Sequence, residues 1–327
     1  MDPASDKDFS AISTTFFLKL SGALPFDVFI QRAASTYSKL FRKGDLVDQE
    51  RMKTYTSQKG VQSLFVHSLE YQVYLTQFEK MAQDILGSLT PERQADAIGL
   101  LGDMTELVAQ DLQKNALLGE RSAAMAVDTV KGCLSLFAKN PSALVRILQY
   151  VSRHPYQLRH TLTVTVFSVL LARAEGMVSE RSLLAIGLGA LFHDAGMGFL
   201  SFKSEEREAL TPQEWKELKT HPQLGAKLLD GVGGIPEEAR LIVLQHHEQP
   251  NGQGYPDGIS SLHIYPPAKI VGVADAFAAL ITPRPYREHR FTSTEAIDVL
   301  RKDQGKFDRK LVDKLASVFA PTTVPNS

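Results

Sequence analysis

The feature that most constrains this chain is an apolar helix that runs straight into a charged pair. Residues 191–198 read LFHDAGMG, and before them Leu183, Leu184, Ile186, Leu188, Leu191 and Phe192 leave almost no polar stripe. A helix apolar nearly all round is a buried helix, so His193 and Asp194 stand at a buried end. An imidazole and a carboxylate in such a place are costly unless something charged receives them. A metal ion is the obvious receiver. Successive helical residues diverge by about 100°, so the pair alone cannot clamp an ion and other segments must supply ligands. His160, His221, His246, His247 and Asp275 offer them, at intervals of about 25 to 33 residues, each the length of a helix plus a turn.

Composition narrows the class. The 327 residues can bury a sizeable core and divide into two domains or three. Hydrophobic content of 43%, charged content of 22% and a net charge of −1 describe a soluble globular protein. That balance gives no electrostatic reason to expect duplex nucleic acid or an anionic membrane surface as the main partner. The single cysteine, Cys133, excludes an intramolecular disulfide, and its neighbours Leu134, Leu136 and Phe137 make it a core thiol. The first residues, MDPASDKDFS, carry neither a basic n-region nor an apolar h-region, and no apolar run approaches the ~20 residues of a membrane span. The expected location is therefore cytoplasmic.

Along the chain three regions separate. Residues 16–20, 26–30 and 37–41 are short apolar pieces broken by Gly22, Pro25 and a turn at 42–45. With a helix over 48–59 and a strand over 61–66, they predict a small N-terminal α/β or α+β module, in which His67 is a surface or turn residue rather than a ligand. From 71 to 150 the pattern is helical throughout, with a start signal at Thr90-Pro91-Glu92. This stretch leaves three roles open: joining domains, carrying a signal, or forming a homodimer contact. His154 reads as a cap or a solvated residue rather than a metal ligand. Residues 155–319 predict helices over 155–174, 179–194, 212–218, 221–229, 236–247, 266–281, 292–302 and 308–319. Thr211, Pro212 and Glu214 make a capping box at one of these starts. One long Gly- and Pro-rich insertion, residues 248–266, follows His246-His247 directly.

Five of the nine histidines and two aspartates thus fall in apolar helical surroundings. Any one of those histidines alone reads as a hydrogen-bonded core residue. Adjacent His–Asp and His–His pairs, each ending an apolar helix, have no good packing explanation. Mixed imidazole and carboxylate ligation suits Fe, Mn, Zn, Ni or Co rather than Mg or Ca. Seven ligands exceed the need of one ion, so a pair of ions bridged by Asp194 is the natural inference. Two ions about 3.5–4 Å apart clamp a phosphate and acidify a bridging water into a hydroxide nucleophile for in-line phosphoester hydrolysis.

At this point the sequence resembles a known family. His193-Asp194-Ala195-Gly196, His221, the run HHEQPNGQGYP from His246 to Pro256, VADAF from Val273 to Phe277, and Arg284-Pro285-Tyr286-Arg287 together resemble the HD-GYP family. These are bacterial phosphodiesterases of the HD superfamily that hydrolyse cyclic di-GMP. The resemblance covers about residues 150–320. It implies a mainly α chain: an HD-type helical bundle at 150–327, a helical connector at 81–149, and the small α/β regulatory or partner-binding module at 1–80. It implies that His160, His193, Asp194 and Asp275 hold one metal, and that Asp194, His221, His246 and His247 hold the second. Iron, or manganese, is implied in preference to zinc. Arg284 and Arg287 match positions that contact substrate phosphates, which suits a guanidinium fork. Gly254-Tyr255-Pro256 matches the signature loop, which shapes the site mouth or recognises signalling partners.

Four positions depart from the family pattern. The HDxGK lysine is Met197, the glutamate four residues before His160 that supports a third metal in some members is Tyr156, the acidic position after Asp275 is Ala278, and the usual DG is Asn251-Gly252. Tyr156 implies two metals rather than three. Losing the lysine's charge removes about 3–4 kcal/mol of transition-state stabilisation on the scale of a single donor. Two readings follow from different classes: an active cyclic di-GMP phosphodiesterase, and a degenerate sensor that binds the cyclic dinucleotide or a partner protein without turning it over quickly. A third, weaker one is an HD enzyme for another phosphoester.

Overall fold

A computed structural model describes residues 8–20, 22–33, 35–55, 61, 63–114, 118–139, 143–152, 154–204, 207–283, 291–303 and 305–318. The chain divides into two compact units, Met1–Asp103 and Met104–Ser327.

The first unit holds β1 (Phe9–Ile12), α1 (Thr14–Phe17), β2 (Val28–Ala33), β3 (Thr36–Phe41), α2 (Gln49–Lys53), β4 (Leu64–His67) and α3 (Tyr71–Gly87). Its sheet has the order β1-β4-β2-β3 and every pairing is antiparallel, with Phe9 opposite His67 and Ile12 opposite Leu64. Alternation along β1 and β4 gives the sheet one buried face. On it Val28, Ile30, Leu64 and Val66 pack with Phe16, Phe17, Phe26, Tyr74 and Phe78, all at most 5% exposed. The other face carries half-buried aromatics, with Phe9 stacked on Tyr37 at 4.0 Å. Ser13 caps α1 by accepting from the Phe16 N–H at 2.9 Å and donates to Asp103 at 2.5 Å. Asp48 caps α2 in the same way. The expected helix over 48–59 is described only to Lys53 as α-helix, and residues 56–60 lie outside the described residues. His67 is the last residue of β4 and caps the short 3-10 turn that follows, its Nδ1 accepting from the Leu69 N–H.

α4 (Gln94–Lys114) crosses the division, and the second unit continues with α5 (Glu120–Lys139), α6 (Ala143–Val151), α7 (Tyr156–Ala174), α8 (Glu180–Phe192), α9 (Pro212–Leu218), α10 (His221–Leu228), α11 (Glu237–Gln245), α12 (Pro266–Ile281), α13 (Ser293–Lys302) and α14 (Arg309–Val318). The helices expected after residue 155 match these to within two residues. α8 is apolar all round because α5, α7, α11 and α12 all pack on it. α7 is buried against α8 and α12, where Phe167 meets Phe277 edge-to-face at 5.0 Å. Burial pushes the Cys133 thiol up to about 12, as befits an inert core group. One stretch of the described residues, Glu180–Phe199, is long and apolar enough to cross a membrane, which corrects the expectation of none. It is α8 with the 3-10 turn after it, and 61% of the apolar window is buried inside the protein.

Candidate metal centre

α8 ends at Phe192, two residues earlier than its apolar pattern suggests. His193 is still αR, but Asp194 leaves helical geometry at φ −96°, ψ 9°. That departure matters, because neighbours in a continuous helix point about 100° apart. Here His193 Nε2 and Asp194 Oδ2 lie 3.2 Å from each other. The turn is held close by Gly196: a Cβ there would sit 2.0 Å from the His221 carbonyl oxygen, so only glycine lets α10 approach.

α7 brings His160 from its second turn and α12 brings Asp275 from its middle. His160 Nε2 is 3.1 Å from Asp275 Oδ1, 3.7 Å from Asp194 Oδ2 and 3.3 Å from His193 Nε2. α10 begins with His221, and α11 ends at His246 followed by His247. His221 Nε2 lies 3.5 Å from Asp194 Oδ1 and 3.3 Å from His246 Nε2, while His247 Nδ1 is 3.9 Å from Asp275 Oδ2. Two ligand groups result: His160, His193 and Asp194, and Asp194, His221, His246 and His247. Within each, the ligand atoms lie within 4.8 Å of one another, and Asp194 belongs to both.

The imidazoles are aimed by the backbone. Nδ1 of His193, His221 and His246 donates to the carbonyl three residues back, Ala190, Leu218 and Val243, at 2.7, 2.8 and 2.7 Å. Donation from Nδ1 of a neutral ring leaves Nε2 a lone pair. Burial and the neighbouring histidines hold His246 well below the usual histidine range, and burial lowers His221 despite Asp194. Burial thus favours the neutral form of both rings, and with each Nδ1 turned to a carbonyl the two Nε2 atoms face each other at 3.3 Å. That arrangement suits a shared cation. Among the described residues His160 Nδ1 is buried with no hydrogen-bond partner. At His193 burial opposes the charge, but Asp194 and Asp275 outweigh it and raise the pKa to about 9. Asp194 and Asp275 stay below the usual carboxylate range because their histidines outweigh burial. Negative oxygens and imidazole lone pairs on one locus fit a borderline transition metal by donor chemistry.

The cluster forms the floor of a cavity of about 1280 Å³ within the second unit. Tyr255 leans over His247, ring centroids 4.7 Å apart, and Tyr156 stacks on His160 at 5.5 Å. Met197 lines the same cavity, and Ala278 is buried in the core. The turn carrying Tyr255 is fixed by a residue the sequence reading passed over. Glu248 is buried, and its carboxylate accepts from the N–H groups of Asp257, Gly258 and Ile259 at 2.7, 3.1 and 3.0 Å. Its signal was present: a carboxylate directly after two histidines and before a Gly-rich turn. Gly254 allows the turn to fold back, since a Cβ would lie 2.4 Å from the Gln249 nitrogen. Arg284 and Arg287 lie outside the described residues.

Comparison with known proteins places this geometry among relatives. The family model described as "HD domain" matches residues 145–311. The cyclic di-GMP phosphodiesterase response regulator RpfG of Xanthomonas campestris is 37% identical over 143 residues, 42% of this chain and 37% of that protein. The cyclic di-GMP phosphodiesterase PA4108 of Pseudomonas aeruginosa is 26% identical over 219 residues, 66% of this chain and 52% of that one. The chain therefore spans about half or less of the length of these curated relatives. Among solved structures, an HDG"Y"P protein from Bdellovibrio bacteriovorus has the same fold, with a TM-score of 0.71 at 21% identity, over 95% of this chain and 99% of that one.

Proposed function

This chain belongs to the HD-domain family, and on that premise we propose that it is a metal-dependent phosphodiesterase that hydrolyses cyclic di-GMP. The observation that carries the reading is the shared carboxylate: two groups of imidazole and carboxylate donors meet at Asp194 on the floor of one cavity. His160, His193, Asp194 and Asp275 would hold one ion, and Asp194, His221, His246 and His247 the other. Iron fits this donor set, and manganese does too. When bound, two such ions clamp a phosphodiester and lower the pKa of the water between them, giving a hydroxide nucleophile for in-line displacement.

The protein's own part is placement. Nδ1 bonds from three histidines keep the donor atoms aimed inward, so little reorganisation accompanies the reaction. Tyr255 over His247 screens one side of the cluster from water. Arg284 and Arg287 are assigned to the substrate phosphates, and the loop Gly254, Tyr255, Pro256 to the mouth of the site. Residues 1–80 are assigned a regulatory or partner-binding role, 81–149 the connection, and 150–327 the chemistry.

Protein loaded anaerobically with iron or manganese should convert cyclic di-GMP to pGpG or GMP. Asp194→Ala should abolish turnover, on the order of 10³-fold or more, and lower the bound metal from two ions per chain. A chain that takes up neither metal, or loads fully and forms no product, overturns the reading. Met197 favours a second one, a sensor that binds the cyclic dinucleotide without fast turnover, because the cavity wall is apolar where the family pattern carries a lysine. Met197→Lys separates the two: a gain in kcat of about 10-fold or more marks a missing cation, and no gain marks a site already sufficient.

A further inference from the structure

We infer that α9 carries a nucleobase subsite of this cavity, with Trp215 as the stacking surface and Lys219 as the contact for a substrate phosphate away from the metal cluster. The inference rests on the phosphodiesterase reading and says how that substrate would be held.

Trp215 is the only tryptophan in the chain, and it is 48% exposed on the cavity wall rather than buried in the core. So large a ring half in water is characteristic of a binding surface. Lys219 follows one helical turn later, on the same face, and lines the same cavity. Its Nζ stands 5.8 Å from the centroid of Tyr255, whose ring leans on His247. The wall therefore runs from the ligand cluster through Tyr255 and Lys219 to Trp215, within two ring contacts and one helical turn. Among the described residues no carboxylate pairs with Lys219, which leaves its charge facing the cavity.

The platform is also rigid. Thr211 and Glu214 close a capping box at the start of α9, and Glu214 pairs with Arg207 at 3.5 Å. Near its other end Glu217 accepts from the Ser201 N–H and hydroxyl at 2.5 and 2.9 Å. Both ends of α9 are thus tied, one to Arg207 and the other to Ser201, so little ordering entropy is lost on binding. A flat π surface and an unpaired cation, set beyond a cluster that would hold one phosphate, match a cyclic dinucleotide: one diester at the cluster, a purine on Trp215 and the other phosphate at Lys219. Stacking recognises the flat face that every base has, so the subsite selects for an aromatic base.

Because Trp215 is the only tryptophan, emission excited at the red edge of the band, where tyrosine does not absorb, reports this position. Metal-loaded protein is mixed in a stopped flow with cyclic di-GMP, with GMP, or with ribose 5-phosphate, and the emission is read before turnover. The two guanine nucleotides should quench saturably and ribose 5-phosphate should not. In steady state Trp215→Leu should raise KM for cyclic di-GMP about 10-fold with kcat kept within about twofold, and Trp215→Phe should restore KM to within about twofold. Lys219→Ala should raise KM, with recovery in Lys219→Arg. Hydrolysis of cyclic di-GMP with no quenching, equal quenching by ribose 5-phosphate, or an unchanged KM in Trp215→Leu overturns the subsite and leaves the phosphodiesterase standing. Absence of both binding and hydrolysis overturns the two together.

Discussion

At His221 and His246 the two nitrogens of each ring do different work. One donates to a backbone carbonyl and fixes the ring; the other keeps its lone pair and faces its counterpart. His193 is the exception, because in the metal-free protein its second proton supplies positive charge beside Asp194. Its pKa is raised, so the stabilisation this proton gives is full below the ordinary histidine value of 6.5 and is lost as pH rises through about 9. A metal must displace it. Metal uptake at pH 7 should therefore release about one proton more per chain than above about pH 10, as read by titration calorimetry in buffers of different ionisation enthalpy. Proton release that does not change across that range would remove His193 from the ligand set. The identities of these residues were legible in the sequence, as costly polar groups in apolar helices. Their tautomers were not, because a carbonyl three residues back is a partner only once the helix end has formed.

Among the elements, the turn after α11 shows how a site is held by groups that never touch a ligand. One carboxylate, Glu248, gathers three successive N–H groups and sets Tyr255 over His247. Charged acceptors make hydrogen bonds of about 1.5–3 kcal/mol each, and glutamine keeps one accepting oxygen without the charge. Glu248→Gln should cost about 2–3 kcal/mol in urea unfolding and speed amide exchange at Asp257, Gly258 and Ile259. Unchanged exchange at those three amides would show that the turn holds itself. The sequence marked this insertion by its glycines and prolines, whereas the buried carboxylate beneath it was invisible to periodicity. The same limit applied to α8. Its apolar run predicts helix through residue 194, but the chain leaves the helix at Asp194, where Gly196 meets the His221 carbonyl.

For the whole molecule, the seven candidate ligands all belong to the second unit, and so does Trp215. Metal binding should then stabilise that unit alone. At 100-fold over Kd each ion adds about 2.7 kcal/mol, which for a unit of this size raises Tm by about 5–10 °C. Thermal unfolding followed by Trp215 emission should show that fall when EDTA strips the metal, while a calorimetric transition of the first unit stays in place. A Tm for the Trp215 signal that ignores EDTA would mean that the folded unit holds no ion.

By itself the sequence determined the helical order after residue 155 and the donor residues, because periodicity and the cost of burying unpaired polar groups are local properties of a chain. Only the tertiary structure decided that Asp194 lies between two groups of histidines, that Glu248 anchors the turn, and that an exposed tryptophan stands on the wall of the same cavity. Those facts depend on close approaches between residues far apart in the chain, set by where helices touch, and no spacing along the sequence encodes a distance across a core.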